Sequence, residues 1–262
     1  MAHANKRELF DCSGLSYTRV IMQIPTNILQ WYVGIPALLF LGISGWRSAR
    51  KRPNQITKNL SVSAFLMTIA LIIYVLPVTF TTNGSLMGKA IFVGDLFQYF
   101  SLYLIWLIVI RIYLSGNKPL ELSAILAATI LAGICAGTSY QANIPYNTQI
   151  IMKDGHAFLD FAYPFPYAIA TGVDFMTLMI VAIHFGKQAL KLPNTSGLKW
   201  RLLAFAAFFG IVGGLFVSQP ILSFDIQSYG YTVSMTIGFL LLAFFLLVAS
   251  IIRRKENRTI TN

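Results

Sequence analysis

Stretches of about twenty residues with almost no formal charge recur along this chain, and they limit its fold more than any other feature. From Ile21 to Trp46 there is no Asp, Glu, Lys or Arg, and the apolar centre runs from Trp31 to Ile43. Leu60 to Phe80 forms a second run inside the charge-free interval between Lys58 and Lys89. A third, Ala90 to about Tyr113, carries Asp95 within it. Leu122 to Tyr140 is the fourth, Pro164 to Phe185 with Asp174 and His184 the fifth, Leu202 to Leu222 the sixth and Tyr229 to Ile252 the seventh. Runs of this length match the hydrocarbon thickness of a bilayer, where only helices and closed barrels satisfy their own backbone groups. None shows the alternation of a barrel strand. The sequence therefore predicts an all-α, polytopic membrane protein, a seven-transmembrane helix bundle. Composition agrees: 56% of residues are apolar and 11% charged, against about 25% charged in an ordinary globular domain. That balance excludes a cytosolic enzyme and any sizeable extramembrane domain.

Orientation follows from the basic residues. One set of connections holds fifteen Lys and Arg, from Arg47, Arg50 and Lys51 through Lys187, Lys191, Lys199 and Arg201 to Arg253, Arg254, Lys255 and Arg258. The other side holds five: Lys6, Arg7, Arg19, Lys89 and Lys153. An excess of this kind marks the cytoplasmic side, so the N-terminus is expected outside and the C-terminus inside. The net charge of +11 is then a topology signal, and no nucleic-acid partner is predicted. Residues 1–24 read as an extracytoplasmic segment, 25–252 as the seven-helix domain and 253–262 as a basic cytoplasmic tail. The opening MAHANKRELFDCSG has no apolar core of signal-peptide length, so the first span is expected to direct insertion, with the plasma membrane as destination.

Two carboxyls stand out because each costs roughly 2.5 to 3.5 kcal/mol near the centre of a span. Asp95 has Gln98 one turn below it, and Asp174 has Thr171 and Thr177 at helical spacing. Their spans run in the same direction, so both can line one cavity in the outer half. The functional reading is a ligand or proton site; the structural one is a hydrogen-bonded Asp tying helices together. Aromatic residues accompany both: Tyr99, Phe100 and Tyr103 follow Asp95, and Tyr163, Phe165 and Tyr167 precede Asp174. Carboxyls with aromatic rings suit a small or cationic ligand, although interfacial anchoring accounts for the same rings. The ligand-binding candidates are Asp95, Gln98, Tyr103, Tyr163, Tyr167 and Asp174.

No catalytic residues, metal ligands or cofactors are expected. His3, His156 and His184 are dispersed, with no paired ligand spacing. His184 lies ten residues beyond Asp174, about 15 Å along a helix, so the two cannot touch. Cys12 and Cys135 both fall on the outer side, where a disulfide or two free thiols are open alternatives. Asn83-Gly-Ser85 is an outward-facing glycosylation sequon.

Gly94-Asp-Leu-Phe-Gln-Tyr-Phe-Ser-Leu-Tyr103 and Leu159-Asp-Phe-Ala-Tyr-Pro-Phe-Pro-Tyr167, the latter followed by Asp174, set an Asp with trailing aromatics at two outside-to-inside helices. The pairing resembles the seven-helix membrane input regions of prokaryotic histidine kinases and diguanylate cyclases, over roughly eighty residues. The resemblance implies a sensor, with Asp95, Asp160, Tyr163 and Asp174 lining its input site. Those proteins continue into a cytoplasmic output domain, whereas this sequence stops at Asn262, so it would signal through a partner. Other seven-helix families fit less well. None of the ten lysines lies in a span, as retinal attachment requires. Arg111-Ile-Tyr113 lacks the preceding acid of G-protein-coupled receptors, and Gln219-Pro220 reverses the Pro-Gln motif of sugar exporters.

The expectation is a receptor-like sensor that binds a small ligand in an outer-half cavity and meets a cytoplasmic or membrane protein partner, or anionic lipid, with its basic loops. A small-molecule or proton-coupled transporter is the alternative, and a non-catalytic subunit of a membrane complex is a third. Gly210, Gly213 and Gly214 would allow close helix packing in each case.

Overall fold

The apolar runs form helices, and asparagines mark where three of them begin. Asn54, Asn83 and Asn117 each accept a hydrogen bond, from the backbone N–H of Ile56, Leu86 and Leu120 respectively, satisfying donors that a helix start leaves orphaned. In a computed structural model, Pro25 and residues 28–51, 54–81, 83–144, 149–153, 156–160, 165–191, 194–218 and 224–261 are described. Among them are α1 (Leu29–Lys51), α2 (Gln55–Phe80), α3 (Gly84–Leu114), α4 (Lys118–Asn143), α5 (Phe165–Lys191), α6 (Asn194–Ser218) and α7 (Phe224–Thr261). Six of these helices contain a segment long and apolar enough to cross a membrane, and α6 carries a shorter apolar segment, Trp200–Gly213.

Each helix packs on its sequence neighbours, and α7 returns to pack on α1, so the bundle closes as a ring. Contact across the ring is sparse, and the principal instance is between α3 and α5. The exterior is apolar, and several polar side chains are buried beside the hydrophobic core. Outward-facing Phe80, Leu122 and Ile130 are 71%, 69% and 57% exposed, whereas Asp95 is 2% exposed and Ser61 and Ser139 are fully buried. An apolar exterior around polar groups is the distribution that a lipid surround selects.

Glycines set the closest approaches. Gly34 faces Leu71 and Phe239, Gly42 faces Phe65, and Gly238 abuts the Ala206 carbonyl. Gly210 lies against Leu178 of α5 and Gly213 against Ser234 and Met235 of α7, so the sixth helix uses its glycines on both flanks.

Two features depart from the sequence reading. The connection expected over Gln141 to Asp160 contains a hairpin, β1 (Gln149–Lys153) antiparallel to β2 (His156–Asp160), with Gln149 opposite Asp160 and Lys153 opposite His156. Its Ile150 packs against the cluster that includes Ile28, Trp31, Tyr74, Val78 and Met87. The architecture is all-α, seven helices, with one small hairpin in this connection. The basic segment expected as a tail is the continuation of α7. At 38 residues this helix is about 57 Å long at 1.5 Å per residue, against a hydrocarbon core of about 30 Å, and so projects beyond any bilayer it crosses. Residues 1–24 lie outside the described residues.

Candidate functional site: a linked carboxyl pair inside the ring

The site begins with a missing side chain. A Cβ at Gly94 would lie 2.6 Å from Tyr74 Cδ1 and closer still to Cε1, so only glycine lets the Tyr74 ring lie flat against α3. Placed there, the ring meets Trp31 of α1 at 5.0 Å between centroids, and its hydroxyl reaches the residue next to Gly94. Tyr74 Oη donates to Asp95 Oδ1 at 2.5 Å and lies 3.0 Å from Gln98 Oε1. The other Asp95 oxygen, Oδ2, accepts from Ser139 Oγ at 2.5 Å and from Asn143 Nδ2 at 3.2 Å. Ser139 and Asn143 are four residues apart on α4 and share a face, and Asn143 Nδ2 also donates to the Ser139 carbonyl at 3.1 Å.

Gln98 joins this carboxyl to the second one. Its Nε2 donates to Asp174 Oδ2 at 2.8 Å, bridging α3 and α5. Asp174 Oδ1 is shielded from solvent and has no hydrogen-bond partner among the described residues. On the far side, Tyr231 of α7 stands within interaction reach of Trp31 and Gln30 of α1. Tyr99, Cys135 and Tyr231 all stand within electrostatic reach of Asp174. Six of the seven helices thus supply the polar cluster, which lies in the half of the bundle toward the hairpin.

Below Asp174 the contact between α3 and α5 is also polar. Trp106 Nε1 donates to Thr177 Oγ1 at 2.6 Å, and Thr177 Oγ1 in turn donates to the Val173 carbonyl at 2.8 Å. Near the basic end, Tyr113 Oη and His184 Nδ1 are 2.8 Å apart. His184 also meets Phe185 edge-on, and Phe185 stacks on Trp200 of α6 at 5.3 Å.

Of the candidates read from sequence, the structure brings together Asp95, Gln98 and Asp174. Tyr103 faces α4 instead: its hydroxyl is 3.3 Å from Thr129 Oγ1 and its ring stacks on Phe100. Tyr163 lies outside the described residues, and Tyr167 falls in the first turn of α5 with its side chain outside them. Asp160 ends β2, paired through its backbone with Gln149. Asn83 of the sequon is exposed and caps α3. Cys135 is a buried free thiol, and Cys12 lies outside the described residues. Among the described residues, no three His, Cys, Asp or Glu side chains cluster as a metal would require.

Sequence reasoning missed Tyr74, Ser139, Asn143 and Trp106. Tyr74 gave the clearest overlooked signal, as a hydroxyl in the aliphatic run Ile72-Ile-Tyr-Val-Leu76. No protein-family model matches the chain, and no curated protein matches it.

Proposed function

We propose that this chain is a seven-transmembrane, receptor-like sensor that anchors a small ligand at Asp174 and signals through a partner, without catalysis of its own. The supporting observation is the buried Asp174 Oδ1, an acceptor with no donor. A buried carboxyl oxygen left unmatched costs of the order of 1 to 3 kcal/mol, which a ligand bearing an N–H or O–H group recovers on binding. The aromatic rings of Trp31, Tyr74, Tyr99 and Tyr231 nearby favour a cation in that role. All seven helices cross the plasma membrane in this reading, with the N-terminus outside and the basic end of the bundle in the cytoplasm.

The mechanism follows from the α3–α5 contact. A donor arriving at Asp174 competes with Gln98 for the carboxylate, and α5 is otherwise tied to α3 through Trp106–Thr177 and Tyr113–His184. Displacement of α5 is then felt at His184, which lies at the end carrying Lys187 and Lys191. The projecting basic end of α7 offers a partner, or anionic lipid, a surface to bind.

The test is thermal stability of the protein in lipid nanodiscs with a panel of primary alkylammonium ions and their neutral alcohol analogues. Ammonium probes are expected to raise the melting temperature of the wild type, and Asp174→Asn to abolish the shift. Equal shifts in wild type and Asp174→Asn refute the site. One observation favours a second reading, a proton-coupled transporter: Asp95 and Asp174 belong to one hydrogen-bonded chain. Uptake into reconstituted vesicles that depends on a pH gradient and is lost in Asp174→Asn selects transport over sensing.

A further inference from the structure

We infer that an anionic phospholipid docks at the basic end of the seam between α4 and α5, with its phosphate beside Lys187, Lys191 and the Tyr113–His184 pair and an acyl chain lying along the seam. Two observations meet there. The seam is the loosest in the ring: among the described residues, α4 and α5 touch least of any neighbouring helices, and they are the least buried of the six membrane-length segments. Its basic end also carries cations that no acidic side chain matches.

Spacing places those cations on the seam. α5 meets α6 through Leu178 and Phe185, and it meets α3 through Asp174, Thr177 and His184. Ile180, Lys187 and Lys191 are separated by seven and four residues, so they share the flank turned away from α6, which is the flank toward α4. Ile180 is 41% exposed there, and Tyr113 of α3, 58% exposed, stands at the depth of His184. Both lysines are exposed, and among the described residues neither makes an ion pair. Glu121 of α4 is the one acidic side chain described at this end of α3, α4 and α5, against Arg111, Lys118, Lys187 and Lys191.

A phospholipid answers both halves of the site. Its phosphate meets the lysines at headgroup depth, where long basic side chains extend from an apolar surface, and Tyr113 and His184 offer hydrogen-bonding groups at the same level. Its acyl chain covers Ile180 and the open seam, which a soluble anion would leave bare. Charge alone does not make such a site. Arg47, Arg50 and Lys51 at the end of α1 are equally exposed, but Arg50 lies over the Trp46 ring at 5.7 Å. The α1–α2 seam beside them is shut by Gly42 against Phe65, by Gly45 against Ser61 and by the Ser61 bond to the Gly42 carbonyl at 2.6 Å. The inference rests on the proposed membrane crossing and not on Asp174 as a ligand's anchor.

Native mass spectrometry of the protein, released from micelles holding equal amounts of phosphatidylglycerol and phosphatidylcholine, tests it. The wild type is expected to retain one phosphatidylglycerol in preference to phosphatidylcholine. Lys187→Gln with Lys191→Gln should weaken that retention roughly tenfold or more, whereas Arg47→Gln with Lys51→Gln, an equal loss of charge, should leave it in place. No preference in the wild type, or equal loss in both double variants, overturns the site; a dimer in place of the bound lipid overturns it too and assigns the seam to a second copy of the chain. Position is read by photo-crosslinking in vesicles of the two lipids, where Ile180→p-benzoylphenylalanine should capture more phosphatidylglycerol than the same change at Ile69, 40% exposed on α2. Equal capture at the two positions refutes the seam. Ammonium binding at Asp174 is measured separately, so failure here leaves the proposed function standing.

Discussion

Gly94→Ala isolates the contact on which the carboxyl network is built. The added methyl would stand 2.6 Å from Tyr74 Cδ1, where carbon atoms rest at about 3.5 to 4.0 Å. The ring must therefore withdraw by roughly 1 Å, carrying its hydroxyl away from Asp95 Oδ1 and Gln98 Oε1. Overpacking of this kind costs about 1 to 3 kcal/mol, and a displaced hydrogen bond to a carboxylate adds about 1 kcal/mol on the scale measured between membrane helices. Alanine recovers somewhat under 1 kcal/mol through helix propensity. The net expectation is a destabilisation of about 2 kcal/mol. Gly133→Ala in α4 is the matched control, because a methyl there meets nothing within 4 Å, and it is expected to be neutral or mildly stabilising. Reversible unfolding in mixed micelles, compared for both variants, measures the difference. The stronger check is a double-mutant cycle: in a Tyr74→Ala background the Gly94→Ala penalty should fall by more than half, since nothing is left to displace. A penalty undiminished in that background, or equal for Gly94 and Gly133, would show that Tyr74 is not held as described.

Trp106→Phe removes the 2.6 Å bond to Thr177 Oγ1 while keeping most of the ring, and should cost about 0.5 to 1.5 kcal/mol, read by the same unfolding assay. Tyr113→Phe breaks an exposed bond to His184 and should change stability by less than about 0.5 kcal/mol; a larger loss would mean that the basic end of the α3–α5 contact is a structural clamp. Cys135 is fully buried, so a membrane-permeant maleimide should leave it unmodified in the folded protein and label it on denaturation, as mass spectrometry reports.

The helices were legible because charge in hydrocarbon is costly, and the same cost exposed Asp95 and Asp174. Gln98 was found by its one-turn spacing from Asp95. Tyr74, Ser139 and Asn143 were not, because a tyrosine in a span or a small polar residue near a helix end is ordinary, and what makes them matter is which face of each helix turns inward. Helical periodicity usually shows that face, but α2 and α3 are apolar on nearly every side, since their outer surfaces meet lipid rather than water. Gly94 was likewise visible only as the first residue of a motif, its role being defined by a ring on another helix. The hairpin did leave a trace: Asp154-Gly155 between Ile150-Ile151 and Phe158-Leu159 is a strong turn signal.

The division of labour among contacts gives this ring a natural moving part. Neighbouring helices meet through packed surfaces with glycines at close approaches, as at Gly34, Gly42, Gly210 and Gly238, reinforced by hydrogen bonds such as Ser61 to the Gly42 carbonyl and Ser63–Ser101, and such interlocked surfaces have few alternative registers. Across the ring, α3 and α5 meet chiefly through Gln98–Asp174, Trp106–Thr177 and Tyr113–His184. Bonds of this type average about 0.6 kcal/mol between membrane helices, so the three together amount to roughly 2 kcal/mol. A ligand that favours one arrangement of α5 by about 1.4 kcal/mol changes its population ratio tenfold. A single donor on Asp174 Oδ1 supplies energy on that scale, enough to rearrange the weak cross-ring contact while leaving the packed neighbours in place. In the proposed sensor the unmatched oxygen therefore matters more than Asp95: the latter fastens α2, α3 and α4 together, whereas Asp174 sits on the weaker cross-ring contact.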